Sequence, residues 1–222
     1  MRWTTSYGGN AKASRWVIQL GDSHDRDVLE SEYEQIKQQV PAEDWCLIFI
    51  PIKDWFSDLT PWKVPPVWGK QAFGDGAMNT LKILLEEEIP RLEGKYGKQE
   101  GRQYILSGYS LAGLFALWAG METDFFRGIA AVSPSLWYPG WKTYMESHTP
   151  KAGAIYLSLG KKEEKVRNQI MRQVGDNIRT QYEQLTQAGI QTILEWNEGN
   201  HFQDSEKRLA KGIAWVLKQK AL

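Results

Sequence analysis

One serine in this sequence lies where a catalytic nucleophile would have to lie. The segment YILSGYSLAGLFALWAG, residues 104–120, runs from a strand-like apolar stretch through small residues around Ser110 into an apolar helix. A nucleophile on a sharp strand-to-helix turn needs small residues two positions before and two positions after it, because the backbone there passes close to neighbouring elements. Gly108 and Ala112 occupy those two positions. The short pattern alone is common by chance, but its placement between strand and helix favours a nucleophilic Ser110 over an ordinary turn serine.

A nucleophilic serine needs a general base, and the chain offers three histidines. His24 and His148 lie in polar segments and are interpreted as solvated or helix-capping residues. His201, in EWNEGNHFQDSEKRL, follows the last predicted strand and precedes the last predicted helix. In a doubly wound sheet, that loop emerges at the same edge as the serine turn. We therefore predict His201 as the base; the alternative is a loop histidine packed beside Phe202.

A carboxylate that orients the histidine should lie between serine and histidine in chain order. Asp124 and Asp176, the aspartates of that interval, do not follow a strand directly, whereas Glu163 and Glu164 come just after AIYLSLGKK. We predict Glu163, because it is closer to the strand end. Three alternatives stay open: Glu163 only complements a helix dipole, Glu164 is the acid, or serine and histidine act as a dyad.

Two backbone amides should stabilise an oxyanion beside Ser110. One is the amide of Leu111, directly after the nucleophile, and the other should come from the loop after the strand that ends at Ile50–Ile52. Pro51 has no N–H, so Ile52 or Lys53 must supply the second donor. We take Ile52 as the prediction.

The long segment 53–77 lacks helical or strand periodicity and is rich in proline and tryptophan. Long irregular loops in compact domains are usually functional, and large rings bury much apolar area per contact. The segment is predicted to form one wall of a pocket for a bulky or aromatic ester, with the residues after the strand beyond the serine facing it across Ser110. A hydrophobic plug is the alternative. The predicted substrate-binding residues are Trp55, Trp62, Trp68, Trp137 and Tyr138.

The elements that must position these residues alternate along the chain. Strand-like runs span 15–21, 45–52, 102–108, 126–133, 154–160 and 192–197, and helical patterns span 25–40, 77–92, the segment after Ser110, 165–188 and 205–218. Most of the strand-like runs are continuously apolar, which is typical of parallel strands covered on both faces. The alternation predicts an α/β fold with a mostly parallel central sheet flanked by helices.

Length and composition limit the class of protein. A chain of 222 residues suits one domain, residues 1–222. The 27 basic and 27 acidic residues cancel, so nothing favours nucleic acid or an anionic membrane as a partner. Cys46, within WCLIFI, is predicted to be a buried thiol. No signal peptide or apolar run of transmembrane length is recognised, so a soluble, cytoplasmic protein is expected. The oligomeric state stays open.

An ordered set of segments resembles a known family. LSGYSLAGLFALWA, AAVSPSLWY, YLSLGKKEEK and EGNHF, from about residue 100 onward, are similar to the putative esterases of the α/β-hydrolase fold, a group with esterase D, feruloyl esterases and enterobactin-type siderophore esterases. The resemblance implies ester hydrolysis by a Ser-His-acid triad without a cofactor or a metal, with Ser110 as nucleophile and His201 as base. Relatives more often have glycine in place of Ala112, and many use aspartate where this chain offers Glu163. No room is left for a separate cap domain, so loops should roof the pocket.

These observations together predict a serine esterase that acts on a small-molecule carboxylic ester through an acyl-serine intermediate. Two alternatives stay open: a catalytically silent hydrolase-fold protein that binds a ligand or partner, and a thioesterase or amidase with the same machinery.

Overall fold

The computed structural model describes residues 6–220 and contains a seven-stranded sheet within that range. Its strands are β1 (Ser6–Gly9), β2 (Arg15–Gly21), β3 (Trp45–Pro51), β4 (Gln103–Tyr109), β5 (Phe126–Val132), β6 (Ala154–Gly160) and β7 (Gln191–Asn197). They lie in the order β1-β3-β2-β4-β5-β6-β7. Strand β1 is antiparallel to β3, and every other pair is parallel. The six parallel strands match the predicted runs to within one residue at each end.

Helices cover both faces of the sheet. They are α1 (Ser23–Lys37), α2 (Ala77–Ile83), α3 (Ile89–Tyr96), α4 (Leu111–Glu122), α5 (Trp141–Ser147), α6 (Val174–Gln187) and α7 (Ser205–Leu217). Helices α1 and α7 pack on one face with Val17, Leu47 and Ile105 of the strands. The remaining helices contribute to the core of the other face, which includes the alternate strand residues Ile18 and Ile48. Burial on both faces is why the strand sequences are continuously apolar, and the predicted α/β fold is confirmed.

Three local features differ from the prediction. Strand β1, with the sequence SYGG, carries no apolar periodicity and was not expected. Helix α5 was also not expected. A π-helical turn, Leu84–Glu88, joins α2 to α3 and extends that helical segment to Tyr96.

Helix α6 begins at Val174, nine residues later than the predicted start of its helical segment at Lys165. The cause is local: the side-chain carbonyl of Asn168 accepts hydrogen bonds from the amides of Ile170 and Met171, at 3.0 and 3.1 Å. A side chain that captures backbone amides in this way competes with helix formation.

Two further expectations concern single features. Cys46 is buried, as predicted, and burial raises the pKa of its thiol to about 12. None of the helices in residues 6–220 is both long enough and apolar enough to cross a bilayer.

A buried acidic side chain lies between α1 and the sheet, away from the serine turn. Glu32 is fully buried, and one of its carboxylate oxygens accepts a 3.0 Å hydrogen bond from the side-chain amide of Gln19. Burial, the largest cause, raises the pKa of Glu32 to about 8, and the negative charges of Asp25 and Glu206 act in the same direction. In the unfolded chain this group ionises near its ordinary pKa of 4.5. The folded protein therefore holds one more proton than the unfolded chain between these two values, and the free energy of unfolding falls as pH rises through that window.

Glu32→Gln should remove this pH dependence, because the amide is an uncharged isostere of the protonated carboxyl. We expect the variant to melt several degrees above the unmodified protein at pH 8 and close to it at pH 4.5, since 1 kcal/mol corresponds to about 2–4 °C for a chain of this size. Thermal melts between pH 4.5 and 9 measure the difference. Glu34→Gln, on the exposed side of the same helix, is the control and should follow the unmodified protein. A difference in melting temperature between Glu32→Gln and the unmodified protein that is the same at every pH would contradict the assignment of this pH dependence to Glu32.

Candidate active site

Ser110 lies at the turn between β4 and α4 in a strained backbone conformation, with φ 58° and ψ −120°. Positive φ is uncommon outside glycine, and such strain persists only where surrounding contacts enforce it. Those contacts are backbone hydrogen bonds: the Ser110 amide donates to the carbonyl of Val132 at 3.1 Å, and its carbonyl accepts from the amides of Leu114 and Ser135, both at 3.0 Å. The hydroxyl is thereby presented above the carboxyl ends of the strands.

The small residues around Ser110 have the steric role that the sequence suggested. A Cβ atom on Gly108 would lie 2.5 Å from the carbonyl carbon and oxygen of Ala112. A Cβ on Gly113 would also be crowded, because it would lie 3.0 Å from the carbonyl oxygen of Gly108. Larger side chains at these positions would push α4 away from β4 and move the serine.

His201 lies in the loop between β7 and α7 and contacts both predicted partners. Its Nε2 lies 2.9 Å from the hydroxyl of Ser110, and its Nδ1 lies 2.7 Å from Oε2 of Glu163. The tautomer with its proton on Nδ1 satisfies both bonds, because Nδ1–H donates to the carboxylate and Nε2 accepts from the serine. This is the geometry in which imidazole can take the hydroxyl proton.

Glu163 follows β6 on a short 3₁₀ turn, Glu163–Lys165, and its side chain is only 6% exposed. While Oε2 faces His201, Oε1 accepts hydrogen bonds from the amide of Gly160 at 2.7 Å, the hydroxyl of Ser133 at 2.8 Å and the guanidinium of Arg208 at 3.3 Å. A Cβ on Gly160 would lie 2.8 Å from this oxygen. The carboxylate is thus fixed by three donors and aimed at the histidine.

The other candidate residues lie elsewhere. Glu164 points away from His201 and pairs with Arg179 at 2.8 Å. Asp176 lies on α6 and pairs with the same arginine. His24 is exposed in the first turn of α1, and the exposed ring of His148 stacks on Tyr144 with centroids 4.0 Å apart. The structure therefore brings together Ser110, His201 and Glu163.

The two predicted oxyanion donors differ in their surroundings. Leu111 is the first residue of α4, and an amide at that position has no acceptor within its own helix; Leu111 also lines the cavity described below. The amide of Ile52, in contrast, donates to the carbonyl of Gly21 at 2.8 Å. The expectation for Ile52 is therefore wrong, because its amide continues the hydrogen bonding between β2 and β3.

A cavity of about 560 Å³ opens beside Ser110. It is largely apolar, and three of the five predicted substrate-binding residues line it: Trp55, Trp68 and Trp137. The other side chains of the wall are not among the predicted substrate-binding residues. These other side chains are Phe56, Val166, Met171, Val174, Asn200 and Phe202. Val166, Met171 and Val174 belong to the segment 165–188 that was predicted as one continuous helix.

Trp62 and Tyr138 do not line this cavity, so those two predictions are wrong. The indole N–H of Trp62 donates to the carbonyl of Pro139 at 2.8 Å, and the hydroxyl of Tyr138 donates to the carbonyl of Trp62 at 2.6 Å. Tyr138 is 1% exposed. These two rings fasten the 53–77 segment to residues 138–140, so the segment is a plug at Trp62 and a pocket wall at Trp55 and Trp68.

Two buried polar residues behind the histidine were missed. Arg208, on α7, contacts Glu163, and the hydroxyl of Tyr109 donates to the carbonyl of His201 at 2.8 Å. Burial raises the pKa of Tyr109 to about 12, so its hydroxyl stays a donor at neutral pH. In SEKRLAKG, Arg208 stands among other charged residues. Such residues usually face solvent, so no signal in the sequence separates it from its neighbours.

A parallel sheet with a strained serine after a central strand, and a histidine and a carboxylate on loops at the same edge, defines the α/β-hydrolase class of fold. Comparison with known families agrees, because the model of the family described as putative esterase matches residues 17–207. This chain belongs to that family.

Solved structures support the same fold. The siderophore hydrolase EstA from Aspergillus nidulans is 23% identical with a TM-score of 0.71, and the match covers 96% of this chain and 88% of that one. An IroE-like serine hydrolase from Shewanella oneidensis is 19% identical with a TM-score of 0.75, covering 96% and 75%. The enterobactin esterase FES from Shigella flexneri is 15% identical with a TM-score of 0.69, covering 96% and 54%. No curated protein sequence gives a significant match. At these identities the structures establish the fold, and residue roles must be argued from this chain.

Proposed function

We propose that this protein is a serine esterase that hydrolyses carboxylic esters through an acyl-serine intermediate. The observation that carries the proposal is the continuous chain of contacts from Ser110 Oγ to His201 Nε2 at 2.9 Å and from His201 Nδ1 to Glu163 Oε2 at 2.7 Å. Membership of the esterase family supports it.

The reaction follows from this geometry. Ser110 Oγ attacks the ester carbonyl while its proton passes to Nε2 of His201, and Glu163 stabilises the imidazolium that forms. The amide of Leu111, at the N-terminus of α4, stabilises the oxyanion of the tetrahedral intermediate. Collapse expels the alcohol, which takes the proton from Nε2. Water then repeats the sequence on the acyl-serine and releases the acid.

The cavity favours a neutral ester with a bulky or aromatic group. Aromatic rings form much of its wall: Trp68 lies with its ring centroid 5.2 Å from that of Trp137 and 6.0 Å from that of Phe56. Within the described part of the chain, no lysine or arginine lines it, so no cation is available there to pair with an anionic substrate. Because aromatic rings line the cavity, an aromatic acyl ester such as a benzoate belongs in the substrate panel.

The proposal is tested with a panel of p-nitrophenyl esters from acetate to benzoate and naphthoate, together with a thioester and an anilide of the same acyl group. We expect turnover of the esters, with the larger acyl groups preferred. Faster turnover of the thioester or anilide than of every ester would move the assignment to a thioesterase or amidase. No turnover of any member would favour a silent binding protein.

The pocket assignment is tested by removing rings from its rim. Trp68 is 41% exposed and Phe202 is 88% exposed, so Trp68→Ala and Phe202→Ala should leave the melting temperature nearly unchanged. If each ring contributes about 1.4 kcal/mol to binding, KM for the benzoate or naphthoate ester should increase about tenfold. KM for the acetate ester should change little. Steady-state kinetics on the two esters measure this.

Trp62→Ala is the matched control, because Trp62 belongs to the same segment but is fastened to Pro139 and Tyr138. It should lower the melting temperature and leave KM of the folded enzyme for both esters unchanged. The reverse pattern, a raised KM from Trp62→Ala and none from Trp68→Ala, would show that the pocket wall is assigned to the wrong tryptophan.

A further inference from the structure

A buried arginine lies behind the histidine and the carboxylate and does not itself line the cavity. Arg208 is 3% exposed. Its Nη1 donates to Oε1 of Glu163 at 3.3 Å and to the hydroxyl of Tyr109 at 3.2 Å, and its Nη2 donates to the carbonyl of Glu198 at 2.6 Å. Burying a guanidinium is costly unless it is paired and hydrogen-bonded, so this placement needs a compensating partner, and Glu163 is that partner.

These bonds hold the acid and the base from one side. The bond to Glu163 keeps Oε1 turned inward, which leaves Oε2 facing His201. The bond to Tyr109 orients a hydroxyl that in turn donates to the carbonyl of His201 at 2.8 Å. The bond to the Glu198 carbonyl fixes the start of the same loop. One guanidinium therefore ties Glu163 and the His201 loop together.

Its charge matters as well as its geometry. Glu163 is 6% exposed, and a buried carboxylate without a counter-charge tends to take up a proton. The positive charge of Arg208, 3.3 Å from Glu163, compensates the buried negative charge of the carboxylate, and a variant that lacks this charge should add a proton to the His201–Glu163 pair more easily. The other polar groups that face this pair are Ser110 and Tyr109 on the β4 side, and the Ser133 hydroxyl and the Gly160 amide on the side of Glu163. Tyr156 and Asp204 interact with Arg208 at longer range.

We propose that Arg208 is a positioning residue for the acid–base pair: its hydrogen bonds hold Oε1 of Glu163 and the His201 loop in place so that His201 stays aimed at Ser110, and its positive charge lies beside the buried carboxylate. The inference rests on the proposed function, since it assigns a role within the same site. It makes two separable claims, one about charge and one about the Tyr109 link.

The test measures how fast a fluorophosphonate probe labels Ser110 as a function of pH. In labelling, serine oxygen attacks phosphorus, fluoride leaves, and the serine proton passes to His201. The readout therefore depends on the pair but not on which ester the protein prefers. For Arg208→Met we expect labelling at pH 7 to slow by up to about 100-fold, the cost that a 1 Å misplacement of a catalytic group can have. The acidic limb of its pH profile, which is the range in which labelling slows as the pH falls, should move to higher pH.

Two further variants separate charge from position. Arg208→Lys restores a positive charge but not the planar fork, so its acidic limb should return toward that of the unmodified protein while its maximum rate stays reduced. Tyr109→Phe keeps the charge and breaks the link to the His201 carbonyl, so it should slow labelling without moving the limb. If Arg208→Met does not fold, the other two variants still test the proposal. Labelling of both Tyr109→Phe and Arg208→Lys at the rate of the unmodified protein would overturn it.

Two controls cover arginine loss and loss of stability. Arg179→Met removes an arginine that pairs with Glu164 instead and should leave rate and limb unchanged. Leu209→Ala, 2% exposed on the same helix, should lower the melting temperature without moving the limb. A limb in Arg208→Met that coincides with that of Leu209→Ala would mean that Arg208 is only structural. Labelling of the unmodified protein without turnover of any ester would overturn the proposed function alone.

Discussion

Ser110→Ala is expected to abolish ester hydrolysis while leaving the fold intact. The substitution removes one hydroxyl at the edge of a cavity, and the backbone hydrogen bonds that hold the turn do not involve that hydroxyl. Because members of a serine–histidine–acid unit act together, kcat should fall by a factor of about 10⁴ or more. His201→Ala should cost a similar factor. Initial rates on the preferred ester, with circular dichroism to verify folding, measure the effect.

The control for this pair is Ser135→Ala. The hydroxyl of Ser135 lies 3.3 Å from that of Ser110 and does not contact His201. It should keep most of the activity. Hydrolysis by Ser110→Ala at a rate near that of the unmodified protein would mean that another group attacks the ester, and the mechanism would then be wrong.

The second large effect is expected from Glu163→Gln, and its cause is the wrong histidine tautomer. Three donors, from Gly160, Ser133 and Arg208, point at Oε1, so the amide oxygen of glutamine should occupy that position and its NH₂ should face His201. An NH₂ group donates to Nδ1 and so forces the imidazole proton onto Nε2. Nε2 then faces Ser110 as a donor and cannot accept the hydroxyl proton. In a serine protease, the equivalent change costs about 10⁴ in kcat.

Glu164→Gln is the matched control, since it changes the adjacent residue in the same way but lies against Arg179. We expect nearly full activity from it. Equal and near-native rates for both variants would show that serine and histidine act as a dyad without the carboxylate.

The six parallel strands and the grouping of Ser110, His201 and Glu163 at one edge of the sheet could be predicted from the sequence for identifiable physical reasons. Continuous apolar runs mark strands that are buried on both faces. A small residue is required at position 108, because a Cβ there would lie only 2.5 Å from the backbone of Ala112. Only three histidines had to be compared. Glu163 and Glu164 could be ranked only by distance from the strand end, and the contacts that separate them come from Ser133 after β5, from α6 and from α7.

The failures depend on tertiary contacts that a local pattern does not encode. The amide of Ile52 was predicted as an oxyanion donor because its pairing with Gly21 depends on the register between β2 and β3, which the sequence does not show. Trp62 and Trp68 have the same residue type in the same segment, and only their neighbours decide that one is a plug and the other a wall. Arg208 has no feature in the sequence that marks it as buried.

The most direct test of the central claim is mass spectrometry of the protein after reaction with a fluorophosphonate probe. The tryptic peptide of residues 103–127 carries Ser107 and Ser110, and fragmentation distinguishes the two. We predict one probe per chain, on Ser110, with adduct formation abolished by Ser110→Ala and strongly slowed by His201→Ala and Glu163→Gln. An unlabelled protein, or a probe attached to any residue other than Ser110, would contradict the account.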